Sequence, residues 1–115
     1  LRILGRTAGE KTRIVALDGR FDAGTVDEVE SFLDGVIADG DVRIVINMSK
    51  VSYIGSCGIR LLLALNAKLR ERGGTSTLFG IPVSGTRIIQ AMQIERFFNI
   101  CTDEKAALER VLRTS

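Results

Sequence analysis

The chain has no histidine, no tryptophan, one proline and two cysteines among its 115 residues. Each shortage removes a class of chemistry. Without His, the commonest metal ligand and the usual general base are missing. Cys57 and Cys101 are far apart and no Cys-x-x-Cys occurs. Neither a zinc site nor a disulfide framework is therefore expected. Two unpaired thiols fit a reducing, cytoplasmic setting. Gly-x-x-x-x-Gly-Lys-Ser/Thr and Gly-x-Gly-x-x-Gly are both absent, and no cofactor is expected.

Aromatic residues are only 5% of the chain, and the net charge is +2, from 16 basic and 14 acidic side chains spread along it. Nucleic-acid binders concentrate Lys and Arg in a stripe with stacking aromatics, so direct nucleic-acid binding is not expected. No apolar run approaches the roughly 18 residues of a spanning helix, so membrane insertion is not expected. The start, Leu1-Arg2-Ile3-Leu4-Gly5, turns polar too quickly for a signal peptide. It lacks an initiator Met, which points to a chain that is processed, truncated or part of a longer protein. What remains is ordinary for a folded chain: 45% hydrophobic and 26% charged. One domain with one core, over residues 1–115, is the expectation.

The order of elements reads β-β-α-β-α-β-α-β-α. A strand around Arg2 to Arg6 pairs with Thr12 to Leu17, which Asp18-Gly19 breaks. A helix follows, capped by Asp22 or by Thr25. Thr25-Val26-Asp27-Glu28 fits a capping box. Val26, Val29, Phe32 or Leu33, Val36 and Ile37 recur at helical spacing. Gly40-Asp41 turns the chain into an apolar strand, Val42 to Ile46. A short loop then leads to a Leu-rich helix from about Ser56 to Arg72, stopped by Gly73-Gly74. Thr75 to Ile81 reads as a strand, and Pro82-Val83-Ser84 opens a helix through about Met92. Phe97 to Cys101 reads as a short last strand. Thr102 or Asp103 caps a closing helix with Ala107, Leu108, Val111 and Leu112 on one side. Such alternation favours an α/β sheet with right-handed crossovers, whose sites lie where strand C-termini meet helix N-termini.

Gly55-Ser56 lies at such a place. Ser56 is either a plain helix cap or a place where a phosphate is held, since the first helical turn leaves N–H groups unpaired and the dipole favours negative charge. Gly58, Leu61, Leu62, Leu65 and Leu69 share the core arc of the helix. Gly58 there implies close approach to the sheet. Ser56, Arg60, Leu63, Ala67 and Arg70 fall on roughly the opposite face, with Cys57 near the boundary. Leu63 and Ala67 mark a helix buried on more than one side, or are scattered apolar residues, or form a patch that docks a partner. With no His to activate them, Ser56 and Cys57 make poor nucleophiles, and Cys57 reads as structural.

These pieces, in this order, resemble a STAS domain of the anti-sigma factor antagonist branch. Gly19-Arg20-Phe21-Asp22 is similar to the family's Gly-x-Leu/Phe-Asp. Val45-Ile46-Asn47-Met48-Ser49-Lys50-Val51-Ser52-Tyr53-Ile54 resembles its strand ending in Asp-Leu-Ser-x-Val-x-Phe-Ile. Gly55-Ser56-Cys57-Gly58 resembles its Asp-Ser-Ser-Gly. Arg72-Gly73-Gly74, Gly80-Ile81-Pro82 and Phe97 also fit. The resemblance implies one mixed sheet of four to five strands, with about four helices packed mainly on one face. It implies a binding module and not an enzyme. Its partner would be an anti-sigma factor, itself a Ser/Thr kinase of the GHKL type, which phosphorylates Ser56 and so ends binding. A phosphatase would reset the switch. Asp22, Gly55, Ser56, Cys57, Arg60, Leu63 and Ala67 are the partner-binding residues on this reading. A homodimer is left open. Gly55 stands where the family has Asp, Cys57 where it has Ser, and Asn47 where Asp is common. Those departures keep a second reading in play: a non-phosphorylated scaffold or accessory STAS domain of a sensory complex or transport system.

Overall fold

A computed structural model describes residues 1–113; residues 114 and 115, the end of the expected 1–115 domain, lie outside it. The elements follow the expected order: β1 (Arg2–Gly9), β2 (Thr12–Phe21), α1 (Val26–Ala38), β3 (Arg43–Ile54), α2 (Ser56–Glu71), β4 (Thr75–Phe79), α3 (Val83–Met92), a 3-10 turn (Glu95–Phe97), β5 (Ile100–Cys101) and α4 (Glu104–Arg113). The sheet runs β1-β2-β3-β4-β5 in chain order. β1 and β2 are antiparallel and every later pair is parallel, so the sheet is mixed.

Period-two alternation sorts the strand residues between two faces. Val15, Leu17, Ile44, Ile46 and Met48 enter the larger core, together with Val29 and Leu33 of α1, Leu62 and Leu69 of α2, and Ile89 of α3. Ile14, Val45 and Phe79 point the other way, onto Ala107 and Val111 of α4. Three helices therefore cover one face and one covers the other. β4 is covered on both sides, and all five of its residues are buried. Burial of such apolar side chains, at about 1.5–3 kcal/mol each, is the main force holding the layers together.

Several sequence expectations need correction, each for a physical reason. β2 does not break at Asp18-Gly19; it runs on to Phe21. β3 does not end at Ile46; the expected loop is strand as far as Ile54. Its register with β2 slips between Ala16 and Asp18 and again between Gly19 and Arg20. Each slip spoils the alternation that would mark a strand in the sequence. The Thr25 capping box does not form. The Thr25 hydroxyl instead donates to the Arg20 carbonyl (2.8 Å) and accepts the Asp22 N–H (3.0 Å). The last strand is only Ile100–Cys101, because Glu95–Phe97 is wound into the 3-10 turn.

Other expectations are met. Asp103 caps α4, its carboxylate accepting the Ala106 N–H at 2.9 Å. α2 ends where the glycines predict: Gly73 turns left-handed (φ 81°), and the Gly74 N–H returns to the Leu69 carbonyl at 2.8 Å. That closes the last turn and satisfies its free carbonyl.

Candidate functional site

The extended halves of β2 and β3 run side by side beyond the sheet centre, pairing Arg20 with Tyr53 and Phe21 with Ile54. They deliver two chain segments to the N-terminus of α2. The Gly55 N–H donates to the Phe21 carbonyl at 3.0 Å, fixing the start of the helix to the end of β2. The Ser84 hydroxyl at the head of α3 accepts the Ile54 N–H at 3.1 Å. Gly58 lets α2 sit tightly on this frame. A Cβ there would lie 2.8 Å from Ile54 Cγ1, closer than a side chain tolerates, and a tight 3.2 Å from Phe21 Cδ1.

Gly55 is the N-cap, with extended backbone (φ −93°, ψ 175°), and Ser56 is the first residue inside the helix. This overturns the reading of Ser56 as a cap. The geometry leaves its hydroxyl nothing to cap, and among the described residues it has no hydrogen-bond partner. Ser56 is exposed. The Gly55 carbonyl takes the Gly58 and Ile59 N–H groups, while those of Ser56 and Cys57 have no backbone acceptor among the described residues. Two free donors and the positive end of a 16-residue helix therefore face outward beside a free hydroxyl.

Asp22 does come up beside this point. A Cβ on Gly55 would stand 4.0 Å from the Asp22 Cα, 3.7 Å from Tyr53 Cε2 and 3.9 Å from the Tyr53 hydroxyl. The Asp22 carboxylate, however, is already engaged. Oδ2 accepts from Arg20 Nε at 3.1 Å, and Oδ1 accepts from the Gly24 N–H at 3.0 Å. These bonds, the Arg20 guanidinium first, hold its pKa below the ordinary value of 3.8. Arg20 in turn lies 4.5 Å from the centroid of the Tyr53 ring. An Arg20-Asp22-Tyr53 cluster thus borders Gly55, the residue that precedes Ser56. Arg20 and Tyr53 escape a sequence reading that ends β3 at Ile46, because only the extended register pairs them.

The remaining candidate residues lie along α2. Cys57 is half-buried, Arg60 and Ala67 are exposed, and Leu63 is half-buried with its inner side against the main core. Ser56, Arg60, Leu63 and Ala67 share a face, as the helical spacing predicts. The core arc is shifted from the expected one: Ile59 and Asn66 are buried, and Leu61 is only half-buried. Asn47, which stands where the related pattern favours Asp, uses Oδ1 to accept the Ser49 N–H at 2.9 Å and also meets the Ser49 hydroxyl. An amide oxygen supplies what a carboxylate oxygen would. Among the described residues no cluster of three or more Cys, Asp or Glu is placed to hold a metal ion. No helix among them is long and apolar enough to cross a membrane.

Comparison with known proteins agrees with this geometry. The chain is 29% identical over 101 residues to the anti-sigma-F factor antagonist RsfB of Mycobacterium tuberculosis, covering 85% of this chain and 80% of that protein. Among solved structures, an anti-sigma factor antagonist from Mycobacterium paratuberculosis shares the fold with a TM-score of 0.79 at 23% identity, over 96% of this chain and 93% of that one. The Bacillus cell fate determinant SpoIIAA, solved in its phosphorylated form, does so with a TM-score of 0.74 at 21% identity, over 96% and 99%. The family model for the STAS domain matches residues 7–107. A match across that much of the chain, on a fold shared nearly end to end, means that the protein belongs to the STAS domain family.

Proposed function

We propose that this protein is an anti-sigma factor antagonist, a regulatory binding module and not a catalyst, switched off by phosphorylation of Ser56. It acts in the cytoplasm on an anti-sigma factor that is itself a Ser/Thr kinase of the GHKL type, and a phosphatase restores the binding form. The observation that carries the reading is the Ser56 hydroxyl. It is exposed, has no structural bond to make, and stands at the open end of α2. The name of the relative RsfB and the phosphorylated form in which SpoIIAA was solved support it.

The physics of such a switch is favourable. A phosphate adds about −1.5 to −2 charge. At a helix N-terminus, beside two free N–H groups, that charge is stabilised, so the fold survives modification. The partner feels it instead. Two like unit charges about 4 Å apart at an effective dielectric near 20 repel by about 4 kcal/mol. At about 1.4 kcal/mol per tenfold, that is nearly a thousandfold in affinity. Gly55 adds no carboxylate of its own, and the Asp22 carboxylate is held by Arg20. The unmodified site is therefore less negative than the related Asp-Ser pattern, and phosphorylation is the larger change. Asp22, Gly55, Ser56 and Cys57 form the switch end of the contact surface. Arg60, Leu63 and Ala67 continue it along α2.

The test is incubation with the cognate anti-sigma kinase and ATP, followed by peptide mapping by mass spectrometry. Phosphate on Ser56 and loss of the complex are expected. An unphosphorylated Ser56, together with full binding by the Ser56→Asp variant, sinks the proposal.

A further inference from the structure

Along the same face, the second half of α2 and the 3-10 turn Glu95–Phe97 enclose a shallow groove of about 390 Å³, lined by Leu63, Asn66, Ala67, Arg70, Arg96 and Phe97. Its floor is apolar. Phe97 is 45% exposed, next to half-buried Leu63 and exposed Ala67. Phe97 is held firmly in place. Asn66, buried in α2, donates from Nδ2 to the Phe97 carbonyl at 3.1 Å. The Asn66 Oδ1 is filled from β4 by the Ser76 N–H (3.1 Å), the Ser76 hydroxyl (3.1 Å) and the Thr75 hydroxyl (3.2 Å). A satisfied buried amide fixes the spacing of the two walls. A preformed groove binds with less ordering cost than one that must be assembled.

The rim is basic. Arg96 lies 4.8 Å from the centre of the Phe97 ring, and Arg70 stands across the groove. Arg60, Arg70 and Arg96 have no ion-pair partner among the described residues. Charge is divided sharply within the helical layer. From Ser56 to Phe97, six basic side chains (Arg60, Lys68, Arg70, Arg72, Arg87, Arg96) face two acidic ones, Glu71 and Glu95. Neighbouring α1 carries Asp27, Glu28, Glu30 and Asp34 and no basic residue. A chain of net charge +2 thus holds a surplus of four positive charges in this segment alone.

We infer that this groove binds an acidic amphipathic helix of a partner protein. Apolar residues at i, i+3 or i+4, and i+7 rest on Leu63, Ala67 and Phe97, and flanking Asp or Glu residues meet Arg70 and Arg96. Leu63 to Arg70 spans about 10 Å of α2, matching two turns of such a helix. A nucleic acid fits less well, since single-strand binders stack successive bases on a series of aromatics and Phe97 is the only aromatic among the described residues that line this groove. The inference rests on the reading of this α2 face as a partner surface and adds the chemistry of what docks there. Its test uses no anti-sigma factor, so it can fail while the Ser56 switch stands, and the reverse.

The probe is a fluorescein-labelled synthetic Leu/Glu helix of about 18 residues, long enough to fold. The controls are its Lys counterpart and a labelled single-stranded RNA, all read by fluorescence anisotropy. The expected result is saturable binding of the Glu helix. It should weaken at least tenfold, about 1.4 kcal/mol, in Phe97→Ser, in Ala67→Glu and in the Arg70→Glu/Arg96→Glu pair. Added salt should weaken it too. All these positions are exposed, and the Asn66 bond to the backbone of residue 97 survives the Ser substitution. Thermal melts of each variant separate lost binding from lost folding. Absence of saturable binding, equal binding of the Lys helix, tighter binding of the RNA, or indifference of well-folded variants overturns the inference.

Discussion

Replacing Gly55 with Asp sets a carboxylate at the N-cap of α2, where the STAS pattern has one, and the structure gives the size of the effect. Gly55 has φ −93° and ψ 175°, a conformation open to any residue. Its new Cβ would meet only ordinary contacts, at 3.7 Å or more. No steric penalty is due. An Asp cap improves on Gly by a few tenths of a kcal/mol, here by accepting a free first-turn N–H. Its charge gains about 0.3–1 kcal/mol from the helix dipole. Losing the backbone freedom of Gly in the unfolded chain adds about 0.4–1 kcal/mol. Against these stands repulsion from Asp22, reduced because Arg20 already pairs that carboxylate. The net is a stabilisation of about 1 kcal/mol, or about 4 °C in Tm for a domain of this size.

Thermal and urea melts followed by far-ultraviolet circular dichroism measure it. Gly55→Asn keeps the cap without the charge and should gain roughly half as much at neutral pH. The difference between the two variants should fade as the new carboxylate protonates, near pH 4 and below. A loss of 1 kcal/mol or more in Gly55→Asp would refute the reasoning, because it would mean that Gly55 is not an open cap position.

Ser56→Ala should change stability by less than about 0.5 kcal/mol, since the hydroxyl bonds to nothing and Ala is the better helix former; a chemical melt that shows a larger loss would restore Ser56 as a structural residue. Asn66→Ala should cost about 2–4 kcal/mol in the same assay, because it strands the Ser76 N–H and two β4 hydroxyls in the core. Asp22 has a folded pKa below its ordinary value of 3.8, so the stability it confers is complete above that value and is lost as pH falls through the lower, folded pKa. Asp22→Asn should therefore be less stable than the parent at neutral pH, with the gap closing in strong acid. A gap that persists in strong acid would show that the carboxylate charge is not the cause.

The order of elements is legible because long-period signals carry it: apolar spacing in α1 and α2, the Gly73-Gly74 stop, and the acid that caps α4. Strand length is not, because the register of β3 against β2 slips twice, and the segment Asn47 to Ile54 then shows no period of two. Its polar residues point into solvent on one side of a strand, where a loop is the natural reading. The cap of α2 is off by one residue for a local reason. A hydroxyl is the better capping group, yet it is the Gly55 backbone that is tied to Phe21, and this tie sets where the helix begins. The Asn66-Phe97 contact spans 31 positions and no local pattern announces it. The same is true of charge. Sixteen basic residues look scattered along the sequence, but folding brings Arg70 of α2 and Arg96 of the 3-10 turn to one groove.

The central claim is that the charge state of Ser56 sets the affinity of an otherwise unchanged domain for its anti-sigma partner. Isothermal titration of the cognate anti-sigma factor with three forms tests it: unmodified, stoichiometrically phosphorylated on Ser56, and Ser56→Ala. The account predicts that the phosphorylated form binds at least a hundredfold more weakly, about 2.7 kcal/mol, with its melting curve unshifted or raised, and that the Ala variant binds within about threefold of the parent, under 0.7 kcal/mol. Equal affinity of the phosphorylated and unmodified forms would contradict it.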